Sequence, residues 1–189
     1  MRRRRRHRYP DLPTERLILR PTTGDLGPAL VDAKDASLSE LRHWMAWATD
    51  NDPNSTLDFA RMADMSWATG MAHNFCLVHE GEVIGNVGLD LINPMIGSAM
   101  IGYWIRSDRA GRGLMTEGAA EVVRHAFEDV DLHRLELHAG LENIASIRVA
   151  EKLGFQRRGI LRDATYADGA WMDVYAYDLL STDPRPPLS

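Results

Sequence analysis

The spacing of apolar residues predicts alternating strands and helices along the chain. Strands are predicted where β-branched and aromatic residues cluster or alternate, at residues 16–20, 74–79, 83–90, 100–105, 134–139, 156–162 and 170–178. Helices are predicted where apolar residues recur every three or four positions, at 25–35, 37–48, from 55 onward, 115–128 and 143–153. Together these elements indicate a mixed sheet with helices on both faces.

Two local signals add detail to this pattern. Ser55 followed by Asp58 resembles a capping box and would open the third helix, although Asp stands where Glu or Gln is usual. Gly85 and Gly88 lie inside a predicted strand, which indicates a bulge or a close approach of backbones. The residues expected to form the apolar stripe of the third helix are Phe59, Met62, Met65 and Trp67.

A glycine-rich segment joins the strand at 100–105 to the helix that follows. Residues 109–116 read RAGRGLMT, and Gly111 and Gly113 allow positive φ angles and a close approach by a ligand. The start of the helix offers unpaired N–H groups to a phosphate, and Arg112 adds a positive charge. The segment matches neither G-x-x-x-x-G-K-[ST] nor G-x-G-x-x-G. Its spacing alone therefore leaves an anion-binding loop and an ordinary tight turn equally open.

Composition limits the class of protein. The chain has 189 residues, of which 44% are hydrophobic, as expected for one globular domain. No apolar run approaches the roughly 20 residues that cross a bilayer, so we expect no membrane partner and a cytoplasmic location. The single cysteine, Cys76, lies in an apolar run and is interpreted as a buried small hydrophobe.

Charge is distributed unevenly along the chain. Arginines occupy residues 2–6 and 8, and removing their charge of +6 from the net −5 leaves −11 on the remainder. Such an arm could bind nucleic acid, but a disordered tail is favoured because nothing downstream continues the basic surface. The net negative charge of the rest of the chain weakly favours cationic acceptors, because it attracts them electrostatically. The predicted organisation is a tail at 1–10, one domain at 11–181 and a frayed end at 182–189.

Metal and covalent chemistry are not indicated. Asp129, Asp131 and His133 lie at a helix-to-strand connection without a second cluster of ligands, so they are interpreted as solvated loop residues. No Ser-His-Asp order or Cys-His pairing stands out. We therefore predict no metal and no covalent acyl-enzyme.

Four separated segments carry a resemblance to a known family. They are LRHWMAWA at 41–48, IGYWI at 101–105, GRGLMTE at 111–117, and NIAS at 143–146 running on to EKLGF at 151–155. They resemble the GNAT superfamily of N-acetyltransferases, and within it the Rim branch that acetylates the N-termini of ribosomal proteins. The resemblance covers about residues 12–180. It implies an α/β (α+β) fold with a mixed, mostly antiparallel sheet of about six to seven strands, splayed open in a V.

The resemblance also implies where acetyl-CoA binds. Its pyrophosphate would lie on the N–H groups of the glycine loop, and its pantetheine would pair with the splayed strand near Ile105. The family usually has Gln or Arg where this chain has Ala110, and Arg109 is a candidate substitute. The residues expected to bind the donor are Ile105, Gly111, Arg112, Gly113, Leu114, Met115, Thr116, Asn143 and Ser146.

Individual roles follow for a few of these residues. Asn143 is a good helix N-cap that could accept the N–H of Ser146, and the resemblance implies that it also holds a pantetheine amide. The Ser146 hydroxyl would act as general acid towards the departing thiolate. A backbone N–H near Ile105 would stabilise the oxyanion. Trp44 and Trp47 are three residues apart and share a helix face, where they either pack in the core or line the acceptor pocket.

The base that takes the acceptor's proton has several candidates. Asp90, Glu40 and His138 each fall near a strand end or the tryptophan helix, and solvent is a further option.

The function implied is direct transfer of the acetyl group from acetyl-CoA to a primary amine, with a protein or peptide N-terminus as the first acceptor. A small-molecule amine, such as an antibiotic, a polyamine or an amino acid, is the alternative. The third hypothesis is a non-catalytic CoA-binding module, whose arginine tail binds nucleic acid. Since relatives in this branch are often dimers, a homodimer is left open.

Overall fold

The computed structural model describes residues 9–48 and 52–186, and these ranges contain eight strands and five α-helices. The strands are β1 Leu12–Pro13, β2 Ile18–Pro21, β3 His73–His79, β4 Glu82–Asn93, β5 Ser98–Ile105, β6 Arg134–Gly140, β7 Gln156–Ala167 and β8 Ala170–Leu180. The helices are α1 Gly27–Asp35, α2 Leu38–Trp44, α3 Pro53–Thr69, α4 Leu114–Arg124 and α5 Ile144–Lys152.

All eight strands form one sheet in the order β1-β2-β3-β4-β5-β6-β8-β7. Every neighbouring pair is antiparallel except β5 and β6, which run parallel. The predicted mixed, mostly antiparallel sheet is therefore confirmed. The strand beyond the predicted six to seven is β1, where Leu12 pairs with Leu19. Two residues are too short to produce a recognisable pattern.

The sheet opens between β5 and β6. These strands pair only over Ser98–Met100 and Arg134–Glu136, and then β5 continues to Ile105 while β6 continues to Gly140. Beyond Met100 the two strands separate, and β6 instead pairs along its whole length with β8. The predicted V is therefore confirmed at the predicted place.

Helices cover both faces of the sheet. On one face α4 buries Ala119, Val122 and Val123 in the main core, which confirms an amphipathic helix within the predicted range 115–128. On the other face Leu30 of α1 and Ala60 of α3 pack on Cys76 of β3. Cys76 is fully buried, which confirms its interpretation as a buried hydrophobe, and this burial raises the pKa of its thiol to about 12.

The predicted start of the third helix is wrong. Helix α3 begins at Pro53, and its N-cap is Asp52, whose side chain accepts the N–H of Asn54. Proline suits the first turn because it has no N–H to leave unpaired there. The Ser55 hydroxyl instead donates to the carbonyl oxygen of Asp52, at 2.8 Å.

The predicted apolar stripe of α3 is also wrong, except for Trp67. Phe59, Met62 and Met65 are 38%, 64% and 70% exposed. The buried face consists of Thr56, Ala60, Ala63 and Trp67. Small residues are buried because α3 lies close to α1, where a Cβ added to Gly27 would fall 2.9 Å from Leu57 Cδ2. Helix contact of this kind depends on small size, which a search for large apolar residues overlooks.

The tryptophan helix is shorter than predicted. Helix α2 ends at Trp44, Met45 is extended at φ −115° and ψ 112°, and Ala46–Ala48 form one 3-10 turn. Trp44 and Trp47 therefore do not share one helix face.

Both predicted termini lie partly outside the described residues, namely 1–8 and 187–189. Within the described part, Tyr9 stacks on Trp67 with 4.7 Å between ring centroids, and Arg185 lies 5.5 Å from the ring centre of Phe127. The predicted tail at 1–10 and frayed end at 182–189 thus include residues packed on the body. Among the described helices, none has the length and apolar content to cross a membrane.

Two glycines in β4 confirm the predicted close approach. A Cβ on Gly85 would lie 2.3 Å from the carbonyl oxygen of Trp104, next to a register shift that marks a bulge. A Cβ on Gly88 would lie 2.1 Å from Asn74 Oδ1 and 2.9 Å from Asn74 Cα. Gly88 therefore makes room for the buried carboxamide of Asn74.

We expect Gly88→Ala to lower the free energy of unfolding by about 1–3 kcal/mol, because the added methyl group overpacks a buried site. Gly159→Ala is the matched control, since a Cβ there meets nothing within 4 Å; its effect should stay within about 0.5 kcal/mol. Urea titration measures both. Equal stability of the two variants would contradict the packing of Asn74 over Gly88.

Candidate active site

A cavity of about 550 Å³ lies where β5 and β6 separate. Side chains and backbone from both arms of the V line it, together with residues of four helices. Its aromatic lining consists of Trp44, Trp47, Phe59, Tyr103 and Trp104. Its polar lining includes Lys34, Thr56, Asn74, Asn86, Asp90, His138, Asn143 and Ser146. The cavity thus brings together predicted residues from α2, α5, β4 and β6.

The glycine loop has the geometry of an anion site. Gly111 and Gly113 adopt φ of 74° and 77°, in the left-handed region that favours glycine. Gly113 is the N-cap of α4, and Leu114, Met115 and Thr116 form the first helical turn. Among the described residues, no group accepts a hydrogen bond from the N–H groups of 111–116. These amides and the helix dipole therefore remain available to a phosphate.

A clamp from the start of the chain holds this loop. The Glu117 carboxylate accepts hydrogen bonds from the Arg16 amide and Arg16 Nε, both at 2.7 Å, and from the Thr14 hydroxyl at 2.6 Å. Arg16 Nη1 also donates to the carbonyl oxygen of Arg112 at 3.0 Å. Burial raises the pKa of Glu117, but the bonds from Thr14 and Arg16 outweigh it and hold the pKa below its usual value. Sequence patterns missed this clamp because its partners are about one hundred residues apart.

The loop arginines are engaged differently. Arg109 Nη2 pairs with Glu82 of β4 at 2.9 Å, so the structure does not support it as a substitute for the side chain missing at Ala110. Arg112 donates to the carbonyl oxygen of Asp108 at 2.9 Å and is exposed beside the loop. Its positive charge therefore stays next to the free amides.

The backbone of Ile105 faces the opening of the V. Arg106 N–H donates to the carbonyl oxygen of Ile84 at 2.8 Å, on the β4 side. Because successive residues of a strand direct their N–H groups to opposite edges, the Ile105 N–H points away from β4, towards the separated β6. This is the edge at which the sequence analysis expected the donor to pair.

Asn143 and Ser146 adopt the predicted cap. Asn143 Oδ1 accepts the Ser146 N–H at 3.0 Å, and both side chains line the cavity. Tyr103 adds a contact that the sequence analysis missed. Its hydroxyl donates to the Ser146 carbonyl oxygen at 3.1 Å and lies 3.2 Å from Ser146 Oγ. Burial raises the pKa of Tyr103 to about 12, so the phenol keeps its proton at neutral pH.

Trp44 and Trp47 both line the cavity despite the break in their helix. Trp44 packs on the end of β6, where a Cβ on Gly140 would lie 3.3 Å from its ring. Trp47 is 47% exposed, and its ring centroid lies 5.9 Å from that of Trp104. Neither tryptophan is buried in the core.

Two of the three candidate bases lie in the cavity wall. Asp90 and His138 line the cavity, whereas Glu40 is not among the lining residues. Asp90 is exposed and accepts a hydrogen bond from Asn74 Nδ2 at 3.0 Å, which fixes its carboxylate. The Ser39 hydroxyl holds the pKa of Glu40 below its usual value. Because Glu40 lies outside the cavity lining, the structure gives no reason to assign it as the base.

Asp129, which follows α4, has structural partners. Asp129 pairs with Arg124 at 2.9 Å and with His125 Nδ1 at 2.9 Å. No three side chains of the described part of the chain are grouped as metal ligands.

Residues 16–156 match the family model described as "Acetyltransferase (GNAT) domain". This range contains Arg16, Glu117 and the glycine loop, while the cavity also has lining residues in β7 and β8 beyond it.

Relatives and solved structures agree with this match. An uncharacterized N-acetyltransferase, p20 of Bacillus licheniformis, is 32% identical over 90% of this chain and 96% of its own length. A ribosomal-protein-serine acetyltransferase of Escherichia coli is 30% identical over 57% of this chain and 60% of its own length. The structure of RimL, a ribosomal L7/L12 alpha-N-protein acetyltransferase in complex with coenzyme A, superposes with a TM-score of 0.86, 23% identity, and coverage of 90% and 98%.

Gly113→Asp should weaken CoA binding at least tenfold, because a carboxylate beside the free amides repels the pyrophosphate and fills its space. Gly70→Asp is the matched control: Gly70 also has a left-handed φ, of 70°, and a Cβ there meets nothing within 4 Å. Aspartate at position 70 therefore introduces a similar backbone strain, but at a site that is remote from the glycine loop. Titration calorimetry with CoA measures both affinities. Unchanged affinity of the Gly113 variant would show that the donor binds elsewhere.

Proposed function

We propose that this chain, which belongs to the GNAT family of acetyltransferases, moves the acetyl group of acetyl-CoA to the N-terminal amine of a protein or peptide. The chain is an N-acetyltransferase whose co-substrate is acetyl-CoA. One observation carries the choice of acceptor: the cavity in the V is open to the surface beside the exposed Trp47, so a chain longer than the reacting residue can extend out of it. Relatives named as ribosomal-protein acetyltransferases support the same acceptor.

The donor side follows from the free backbone groups. The N–H groups of Gly111 to Thr116 hold the pyrophosphate, and the clamp of Arg16 and Glu117 fixes them in place. The exposed edge of β5 at Ile105 pairs with the pantetheine, whose amide also meets Asn143. Acetyl-CoA supplies an activated acetyl group, and the protein supplies its orientation.

Asp90 and His138 are the two candidate bases for acceptor activation that line the cavity. An ammonium group cannot attack a carbonyl carbon, so the acceptor must first lose a proton. The Asp90 carboxylate lines the cavity and is held by Asn74. General-base assistance of this kind is typically worth about 10²- to 10⁴-fold in rate. His138 lines the same cavity from β6 and is the second candidate.

Charge that develops during transfer is met by two groups. The Ile105 N–H, which points into the opening, stabilises negative charge on the acetyl oxygen. The Ser146 hydroxyl donates its proton to the departing CoA thiolate. Tyr103 positions Ser146 by donating a hydrogen bond to its carbonyl oxygen, and its hydroxyl lies 3.2 Å from Ser146 Oγ. Ser146 then regains a proton from solvent.

Location and assembly belong to the same proposal. Protein N-termini of the ribosomal kind are cytoplasmic, and so is the proposed enzyme. A homodimer is supported by β7, the edge strand of the sheet, which exposes Ile160 and Leu161 beside an unpaired backbone edge.

Acetyl transfer to a panel of peptides and small amines tests the acceptor. We expect thiol release from acetyl-CoA with peptides, and a mass increase of one acetyl group at their N-termini. Peptides with a blocked N-terminus are the matched control and should release no thiol above background. Turnover with a polyamine or an amino-sugar antibiotic but with no peptide would replace the proposed acceptor by a small molecule. Binding of CoA without turnover of any amine would indicate a non-catalytic module.

Ser146→Ala should lower kcat about 100-fold, because the thiolate loses its proton donor, and should leave the KM for acetyl-CoA within about twofold. Tyr103→Phe keeps the serine but removes the hydroxyl that positions it, so its loss should be smaller. Ser181→Ala, in the turn after β8, is the control and should match wild type. Steady-state kinetics measures all three. Equal kcat for the Ser146 variant and wild type would reduce this serine to a helix-capping partner.

A further inference from the structure

One glycine of β5 is required neither by its backbone conformation nor by its neighbours. Gly102 does not adopt the left-handed φ that favours glycine, and a Cβ built on it meets nothing within 4 Å among the described residues. Gly88 differs, since the carboxamide of Asn74 takes the place of its missing side chain. Because glycine weakens the interior of a strand, a bare position of this kind indicates a ligand that approaches the backbone closely.

Gly102 leaves open the face of the sheet that lies under α1 and α3. Trp104, two residues further along β5, packs on that face with the cluster around Leu30. Side chains of a strand alternate between faces, so a side chain at position 102 would project towards the same helices. Gly102 is one of the residues that line the cavity of about 550 Å³. The open space above it is therefore part of the cavity.

The register of three strands places Gly102 beside polar groups of the cavity. Asn74 of β3 pairs with Gly88 of β4, and Gly88 pairs with Gly102 of β5. Asn74 Nδ2 donates to the Asp90 carboxylate at 3.0 Å. Asp90 follows Gly88 by two residues and is thus a diagonal neighbour of Gly102, about 7–8 Å away. On the other side no strand covers Gly102, because β5 and β6 pair only as far as Met100.

The bare position also lies at a suitable distance from the proposed acetyl site. Ile105, whose N–H is proposed to bind the acetyl oxygen, is three residues from Gly102, about 10 Å along the strand. A hydrogen bond of about 3 Å and an attack distance of about 3–3.5 Å cover most of this length. The proposed pyrophosphate site at residues 111–116 lies beyond Ile105 in the other direction, so the donor leaves the Gly102 side to the acceptor.

We infer that Gly102 is a specificity-determining residue over which the first residue of the acceptor lies, between Trp104 on one side and Asn74 and Asp90 on the other. The inference rests on the proposed function of peptide N-terminal acetylation. A side chain at position 102 occupies the place of the acceptor and spares the donor, whose proposed site is the glycine loop and the opposite edge of β5. The size of residue 102 therefore limits the size of the first acceptor residue.

Peptides that begin with Gly or Ala, and are otherwise identical, test this relation with the full-length enzyme and acetyl-CoA. Gly102→Ala should lower kcat/KM for the Ala peptide at least tenfold more than for the Gly peptide, because the two added methyl groups compete for one space. Gly102→Val should lower it for both peptides at least 100-fold. The Kd of CoA, from titration calorimetry, should stay within about twofold in both variants.

Gly159→Ala is the matched control. A Cβ on Gly159 in β7 also meets nothing within 4 Å, but this glycine is not among the residues that line the cavity. Its variant should leave the ratio of kcat/KM for the Gly and Ala peptides unchanged. Thermal unfolding should give Gly102→Ala a Tm equal to or above that of the wild-type enzyme, because alanine suits a strand better than glycine and nothing obstructs it.

The outcomes are distinct. Loss of kcat/KM by the same factor for both peptides in Gly102→Ala would overturn the inference, since position 102 would then not sense the first residue. Weakened CoA binding in either variant would overturn it as well, because the donor would lie over Gly102. If the wild-type enzyme acetylates no peptide, the proposed function fails instead. The Kd of each peptide, from quenching of tryptophan fluorescence with CoA bound, would still decide whether residue 102 limits the first residue.

Discussion

The structure depends on the short parallel contact between β5 and β6. Three residue pairs, from Ser98 to Met100, hold the two arms of the sheet together, and beyond them no hydrogen bond joins the strands. Since β6 is satisfied by β8 on its other edge, it can diverge without losing its place in the sheet. The separation exposes one unpaired strand edge at Ile105 and creates the cavity. Donor and acceptor can then approach the same point from opposite faces.

The two sides of the opening present different chemical groups. At the proposed donor site, backbone groups dominate: glycines in the left-handed region leave a row of N–H groups free, and Arg16, held by Glu117, braces them. At the proposed acceptor site, side chains dominate, because Gly88 admits Asn74, which in turn fixes Asp90. Acetyl-CoA is the co-substrate of the whole family, so a site built from backbone groups suits it. Selection among acceptors requires side chains that can vary.

Much of the fold and part of the site were predictable from local signals. The strand–loop–helix around Gly111 and Gly113 and the cap formed by Asn143 on Ser146 depend on neighbours within a few residues. The V itself came from the family resemblance, since no periodicity encodes how far two strands stay paired. The buried face of α3 was predicted wrongly from its large apolar residues, since Met62 faces outward and small residues make the contact with α1.

The sequence by itself determined most of the elements, their order, and local features such as the Asn143 cap and the glycine loop, because these features arise from contacts between close neighbours in the chain. Tertiary structure alone decided which residues distant in sequence contact each other. Tyr103 meets Ser146 across 43 positions, and Arg16 meets Glu117 across 101. The bare position at Gly102 also became visible only there, because it depends on where β5 and β6 separate. Pairings at such separations are set by strand register and helix packing, which no local pattern records.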